Sequence, residues 1–116
     1  MLDIHRRFGL LIYVLENGTA NDDELDGAGR IEDTGRIAYL QAYTSAMQEA
    51  ISAGADVRGY FVWSLLDNFE WASGYSQRFG LVYVDFATQK RIPKASARWY
   101  ADLIATKRRD AIAARG

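Results

Sequence analysis

Two short apolar runs, Leu10 to Leu15 and Val57 to Leu66, flank a stretch in which Ile37, Leu40, Tyr43, Met47 and Ile51 recur at steps of three and four residues. The first run is bounded by Gly9 and by Asn17-Gly18 and reads as a buried strand. The recurring apolar positions describe an amphipathic helix that Gly54 stops. The second run is apolar almost throughout, as parallel strands covered on both faces tend to be. Strand, helix, strand is a βαβ unit, so the two runs are expected to lie side by side and parallel, with the residues that follow each at the same end.

The remaining chain fits around this unit. From Thr19 to Gly35 it is rich in Asp, Asn and Gly and reads as a solvated loop. The Asp spacing there matches no calcium loop, so no metal is expected. Leu81 to Phe86 and Lys90 to Ile92, separated by Ala87 to Gln89, predict a small hairpin that Pro93 ends. Trp99, Tyr100, Leu103 and Ile104 mark a final helix, in which Trp99 is expected to pack. The basic tail Lys107 to Gly116 suits a helix carboxyl end, where cations complement the dipole.

Composition narrows the partners. A chain of 116 residues with 49% hydrophobic content is at most one domain. Its 14 basic and 15 acidic residues nearly cancel, which gives no reason to expect nucleic acid or an anionic membrane as partner. With no cysteine there is neither a disulfide framework nor a thiolate site. No window approaches the roughly 18 to 20 apolar residues of a membrane helix. The opening Met1-Leu-Asp-Ile-His-Arg-Arg-Phe has no secretion-signal pattern, so a cytoplasmic location is expected. The one histidine, His5, reads as a surface residue.

The segment after the second run holds the chemistry. Trp63, Asp67, Asn68, Glu70, Trp71, Tyr75, Arg78 and Phe79 crowd into a short stretch that folding alone does not ask for. Aromatic faces suit the C–H surfaces of a sugar, and carboxylates and amides suit its hydroxyls, so a carbohydrate site is expected. Taken singly these signals are ordinary, because tryptophans in apolar runs are usually core and Glu-Asn-Gly is a common surface turn. A second motif, Ile12-Tyr-Val-Leu-Glu-Asn-Gly18, stands upstream in the order and at the distance that the two make meaningful together.

Together the motifs resemble the C-terminal part of the family 1 glycoside hydrolases, the β-glucosidase and 6-phospho-β-glucosidase group, from about Ile12 to Ala105. The resemblance implies an α/β chain forming about the last two β/α units of a (β/α)8 TIM barrel, incomplete in isolation, with residues 1–116 all part of that one barrel domain. It implies that Glu16 is the catalytic nucleophile of a retaining glycosidase, which attacks the anomeric carbon while a second carboxyl about 5 to 5.5 Å away protonates the leaving oxygen. It implies that Glu70 bonds glycone hydroxyls, Trp71 contacts the glycone, Trp63 shapes the site wall and Phe79 lines the sugar pocket. Asp67, Asn68 and Arg78 are expected to brace the loop. The family's acid/base sits in an Asn-Glu-Pro motif that these residues lack, so the chain is expected to be inactive alone. The expected partners are a β-glucoside or oligosaccharide substrate and an N-terminal complementing fragment, with no cofactor. The alternative is a non-catalytic sugar-binding remnant or docking subunit.

Three positions depart from the family pattern. Leu15 stands where Thr commonly precedes the nucleophile, and the usual Pro near Leu11 is absent. Trp71 stands where the 6-phospho group often has Ser, which favours unphosphorylated glucosides.

Overall fold

The computed structural model describes residues 1–114; Arg115 and Gly116, the end of the basic tail, lie outside the described residues. The elements run α1 (Leu2–Phe8), β1 (Ile12–Asn17), α2 (Thr34–Ser52), β2 (Val57–Val62), a 3-10 turn at Trp71–Ser73, β3 (Val82–Val84), β4 (Arg91–Pro93) and α3 (Ala95–Ala113). β1 and β2 pair in parallel and β3 and β4 pair antiparallel. The expected βαβ unit and hairpin are therefore both present.

Several boundaries differ from expectation for local reasons. Pairing starts at Ile12, whose N–H donates to the Asp56 carbonyl, so Leu10 and Leu11 precede the strand and stay 69% and 56% exposed. β1 runs on through Glu16 and Asn17. β2 stops at Val62, and the chain then turns so that Leu66 bridges to Val82. Pro93 closes β4 as its last residue instead of standing after it. The short helix α1 has no counterpart in the apolar pattern; it buries no residue and ends at Gly9, whose φ of 65° is the left-handed cap. His5 is half-buried, and its Nδ1 donates to the Leu10 carbonyl.

Both long helices lie on one side of the β1–β2 pair. Tyr39 of α2 bonds Asn17 of β1, and Tyr100 of α3 bonds the Tyr60 carbonyl of β2. The opposite face carries Tyr13, Leu15 and Phe61, which are 54%, 70% and 54% exposed. The expectation that the second run is covered on both faces fails here: within these residues the strands have a helix-covered face and an open one. On α2 the buried positions are Arg36, Leu40, Thr44 and Ala50, while Tyr43 and Ile51 of the apolar stripe are exposed. The stripe is displaced because Arg36 finds carboxylates to bond, which makes a charged side chain the helix's anchor.

Those carboxylates come from the Asp-rich segment, which is a solvated loop only in part, since Glu24 to Arg30 are exposed while its two ends turn inward. Asp23, Ile31 and Asp33 are buried within it. Arg36 donates through both terminal nitrogens to Asp23, at 3.1 and 2.7 Å, and also pairs with Asp33. Lys94, fully buried, donates to Asp23 at 2.5 Å and to Asp67 at 2.8 Å. Asp67 also accepts from Arg78 at 2.7 Å and from the Gly80 N–H at 2.9 Å. Three carboxylates thus meet three cations. Asp33 precedes α2 but spends its carboxylate on the start of α3, accepting from the Ser96 N–H at 2.8 Å, where an anion is favoured by the helix's orphan donors. Gly80 is required by this packing, since a Cβ there would sit 2.2 Å from the Asp67 nitrogen.

Removing one partner of a buried ion pair leaves a bare charge out of water. Lys94→Met, which leaves Asp23 with Arg36 alone, Asp67 with Arg78 alone and the buried network one positive charge short, is expected to lower the unfolding free energy by about 3–5 kcal/mol in urea titrations. Arg58→Met, which breaks the exposed pair with Asp56, is expected to leave the urea midpoint where it was. Equal midpoints for the two variants would contradict this account.

Candidate active site

The site is assembled at the carboxyl ends of β1 and β2. Asn17 is the register partner of Val62, and the Trp63 N–H donates to the Asn17 carbonyl at 2.9 Å. Glu16, beside Asn17, and Trp63 therefore leave the sheet at the same end. Gly18 makes the junction possible: a Cβ there would lie 1.8 Å from the Trp63 carbonyl oxygen, so no side chain fits.

Strand pairing around Glu16 is irregular. Val14 pairs with Tyr60 and Asn17 with Val62, so three steps on β1 face two on β2. That extra residue is a β-bulge, and it breaks the alternation of faces: Leu15 and Glu16 are both exposed in succession. Asn17 faces the helices. Its Nδ2 donates to the Tyr39 hydroxyl at 3.2 Å, and its Oδ1 accepts from the Tyr60 hydroxyl at 2.6 Å.

The second carboxylate is positioned by the segment after β2. The Trp63 indole N–H donates to Glu70 Oε1 at 3.1 Å, which joins two of the expected site residues. Glu70 and Gly74 bridge, with the Glu70 N–H donating to the Gly74 carbonyl at 2.7 Å, and this closes the 3-10 turn. Trp71 stands on that turn with φ 40° and is 87% exposed, so it is not core. A left-handed bulky residue is unusual and points to a surrounding structure that over-determines it. Phe79 is half-buried, and its backbone carbonyl accepts from the Ser64 N–H at 3.1 Å, one residue beyond Trp63.

Aromatic and cationic contacts support this loop from behind. Phe69 meets Tyr75 edge-on at 5.4 Å, and Tyr75 meets Phe86 at 4.5 Å. The Arg78 guanidinium lies 4.1 Å from the Tyr83 ring centroid and 4.6 Å from that of Phe86 while it pairs with Asp67. Asp67 and Arg78 brace the loop as expected. Asn68 does too, donating to Ser64 Oγ and the Leu66 carbonyl. Sequence reasoning missed Asn17, Tyr39 and Tyr60. Their only signal is the Asn that follows Glu16, a polar residue inside an otherwise apolar strand.

With that geometry in view, comparison with known proteins defines the class. The family model described as Glycosyl hydrolase family 1 matches residues 2–109, and the chain belongs to that family. It is 55% identical over 93 residues to beta-glucosidase A of Thermotoga maritima, covering 80% of this chain and 21% of that one. It is 54% identical over 97 residues to a 6-phospho-beta-galactosidase of Streptococcus equi subsp. zooepidemicus, covering 83% and 20%. The solved beta-glucosidase from Thermotoga maritima in complex with castanospermine superposes with a TM-score of 0.86 at 49% identity, covering 90% of this chain and 24% of that one. The chain thus spans about a fifth of the curated relatives it matches, and it corresponds to part of a (β/α)8 barrel. No helix among the described residues is long and apolar enough to cross a membrane.

Burial pushes the Tyr60 phenol up from 10.0 to about 12, and burial raises Tyr39 and Tyr100 as well. A raised folded-state value means that the neutral phenol is favoured in the fold. The resulting stability is complete below the unfolded value near 10 and is lost as pH rises through about 12. Urea midpoints measured across that window should fall with pH, and should fall less steeply in Tyr60→Phe. An unchanged slope would show that Tyr60 ionises as freely folded as unfolded.

Proposed function

We propose that this chain is the C-terminal segment of a family 1 β-glucosidase barrel, supplying the nucleophile and part of the glycone site for retaining hydrolysis of β-glucosides. Glu16 attacks the anomeric carbon and forms the glycosyl-enzyme intermediate. Glu70 bonds glycone hydroxyls, with its carboxylate held by the Trp63 indole; Trp71 offers its ring to the sugar face, Trp63 walls the site and Phe79 lines it. The general acid/base comes from the remainder of the barrel, which docks on the open face and edges of β1 and β2. These residues alone are therefore inactive.

The observation that carries this reading is the parallel pairing of β1 and β2, with Glu16 and Trp63 at one end and Glu70 bonded to Trp63. In (β/α)8 barrels the chemistry lies at the carboxyl ends of the strands. The relatives include a beta-glucosidase and a 6-phospho-beta-galactosidase at nearly equal identity, so identity does not select the glycone. Trp71 supports an unphosphorylated sugar.

The test is made in a completed barrel, with the other six β/α units supplied in trans. Glu16→Gln should abolish aryl β-glucoside hydrolysis while leaving sugar binding. Glu70→Ala should weaken both binding and turnover, since a lost hydrogen bond to a hydroxyl costs about 1–3 kcal/mol and more in the transition state. Azide should restore turnover to Glu16→Gly and not to Glu70→Ala, because a small anion replaces a nucleophile but not a hydroxyl-binding group. The reverse pattern of rescue would exchange the two assignments.

A further inference from the structure

We propose that Asn17 and Tyr60 are positioning residues that hold the β-bulge in β1 and so aim the Glu16 carboxylate into the site. The inference rests on Glu16 being the nucleophile. It starts from the pairing pattern. In a regular strand, neighbours at 15 and 16 would face opposite sides, and Glu16 would turn toward the helices if Leu15 faced the open side. With the bulge between Val14 and Asn17 both are exposed, and the alternation that would turn Glu16 to the helices is broken. Bulges in parallel pairs are uncommon, and a ladder free to slip by one residue would remove this one and reverse the face that Glu16 occupies.

What opposes that slip is the residue at the end of the bulge. The Asn17 amide is satisfied at both ends, by Tyr60 from the neighbouring strand at 2.6 Å and Tyr39 from α2 at 3.2 Å. Its carbonyl accepts from Trp63 at 2.9 Å. Tyr60 is itself tied to α3, since the Tyr100 hydroxyl donates to its carbonyl at 3.2 Å. β2 and α2 therefore meet β1 at the amino acid next to Glu16, and α3 holds it indirectly through Tyr60. A slip would strip Asn17 of partners in a part-buried setting, where an unmade hydrogen bond is costly. A second bulge, between Ile12 and Tyr13, lies on β2, where two steps from Val57 to Gly59 face one on β1. The two irregularities offset each other, so the ladder is in step before and after and only the intervening faces change.

The test uses the complete barrel, with this chain standing in for the matched segment of Thermotoga maritima beta-glucosidase A. Tyr60→Phe removes one hydroxyl, and Asn17→Leu keeps the shape of the amide without its bonds. Both are expected to lower kcat for an aryl β-glucoside by about 10- to 100-fold per folded molecule, because a small misplacement of a reacting group carries that penalty. KM and inhibition by glucose, which report Glu70 and Trp71, should stay within about twofold of the parent. Azide should not rescue either variant, since the nucleophile is still present. If kcat per folded molecule stays within about twofold of the parent, so that any lost activity follows the folded fraction alone, the positioning role is overturned while the assignment of Glu16 stands. Full activity in Glu16→Gln would overturn that assignment and this inference with it.

Discussion

Asp23, Asp33 and Asp67 share one buried region with Arg36, Arg78 and Lys94, and the loops on either side of the β1–β2 pair and the starts of α2 and α3 are held by matching those charges. A charge removed from water costs several kcal/mol unless an opposite charge and further hydrogen bonds replace its hydration. Replaced as a set by apolar side chains, such a network could be as stable. Broken at one point it is not, and that asymmetry gives it directing power. The segment after β1, the first turn of α2, the loop after β2 and the start of α3 can each take only the position that leaves no charge bare. The loop bearing Glu70 and Trp71 inherits its place from Asp67, three residues before Glu70, and from Arg78 beyond it.

The order of strands and helices was legible in the sequence because it rests on local periodicity, and the resemblance between the two motifs and the family carried the class. What escaped was set by distant partners. Nothing near Asp23 shows that Lys94 will reach it, so an Asp- and Gly-rich segment reads as solvated when it is partly buried. The apolar stripe of α2 misplaces the buried face for the same reason, since Arg36 is buried by its carboxylates and not by its hydropathy. α1 lay outside the apolar pattern because it buries nothing. Of the residues expected to form a site, Glu16, Trp63 and Glu70 are brought to one end of the sheet. The residues proposed to set the facing of Glu16 left only one mark, the polar Asn17 at the end of an apolar run, because a bulge depends on pairing and not on composition.

The open face of β1 and β2 follows from the same division. Tyr13, Leu15 and Phe61 have the apolar character of interior positions and are more than half exposed among the described residues. Gly59 lies among them, where a Cβ would meet the Tyr13 ring at 2.6 Å, so the two strands are already fitted to each other on that side. The helix-covered face is finished, with its polar groups bonded across β1, β2, α2 and α3. One side of the pair is a completed surface and the other is apolar and uncovered.

The spacing of the charge network along the chain also bears on the order in which it forms during synthesis. Arg36 finds Asp23 thirteen residues away, so that pair can close early. Lys94 is separated from Asp67 by 27 residues and from Asp23 by 71. Closing such long loops costs chain entropy before any contact repays it. Until the ribosome has delivered Lys94 and Ser96, Asp67 lacks one of its two cations, and Asp33 has no helix start to bond. The nascent segment from Asp23 to Val84 must wait in a half-matched state, and α3 completes the charge balance of this network when it is made.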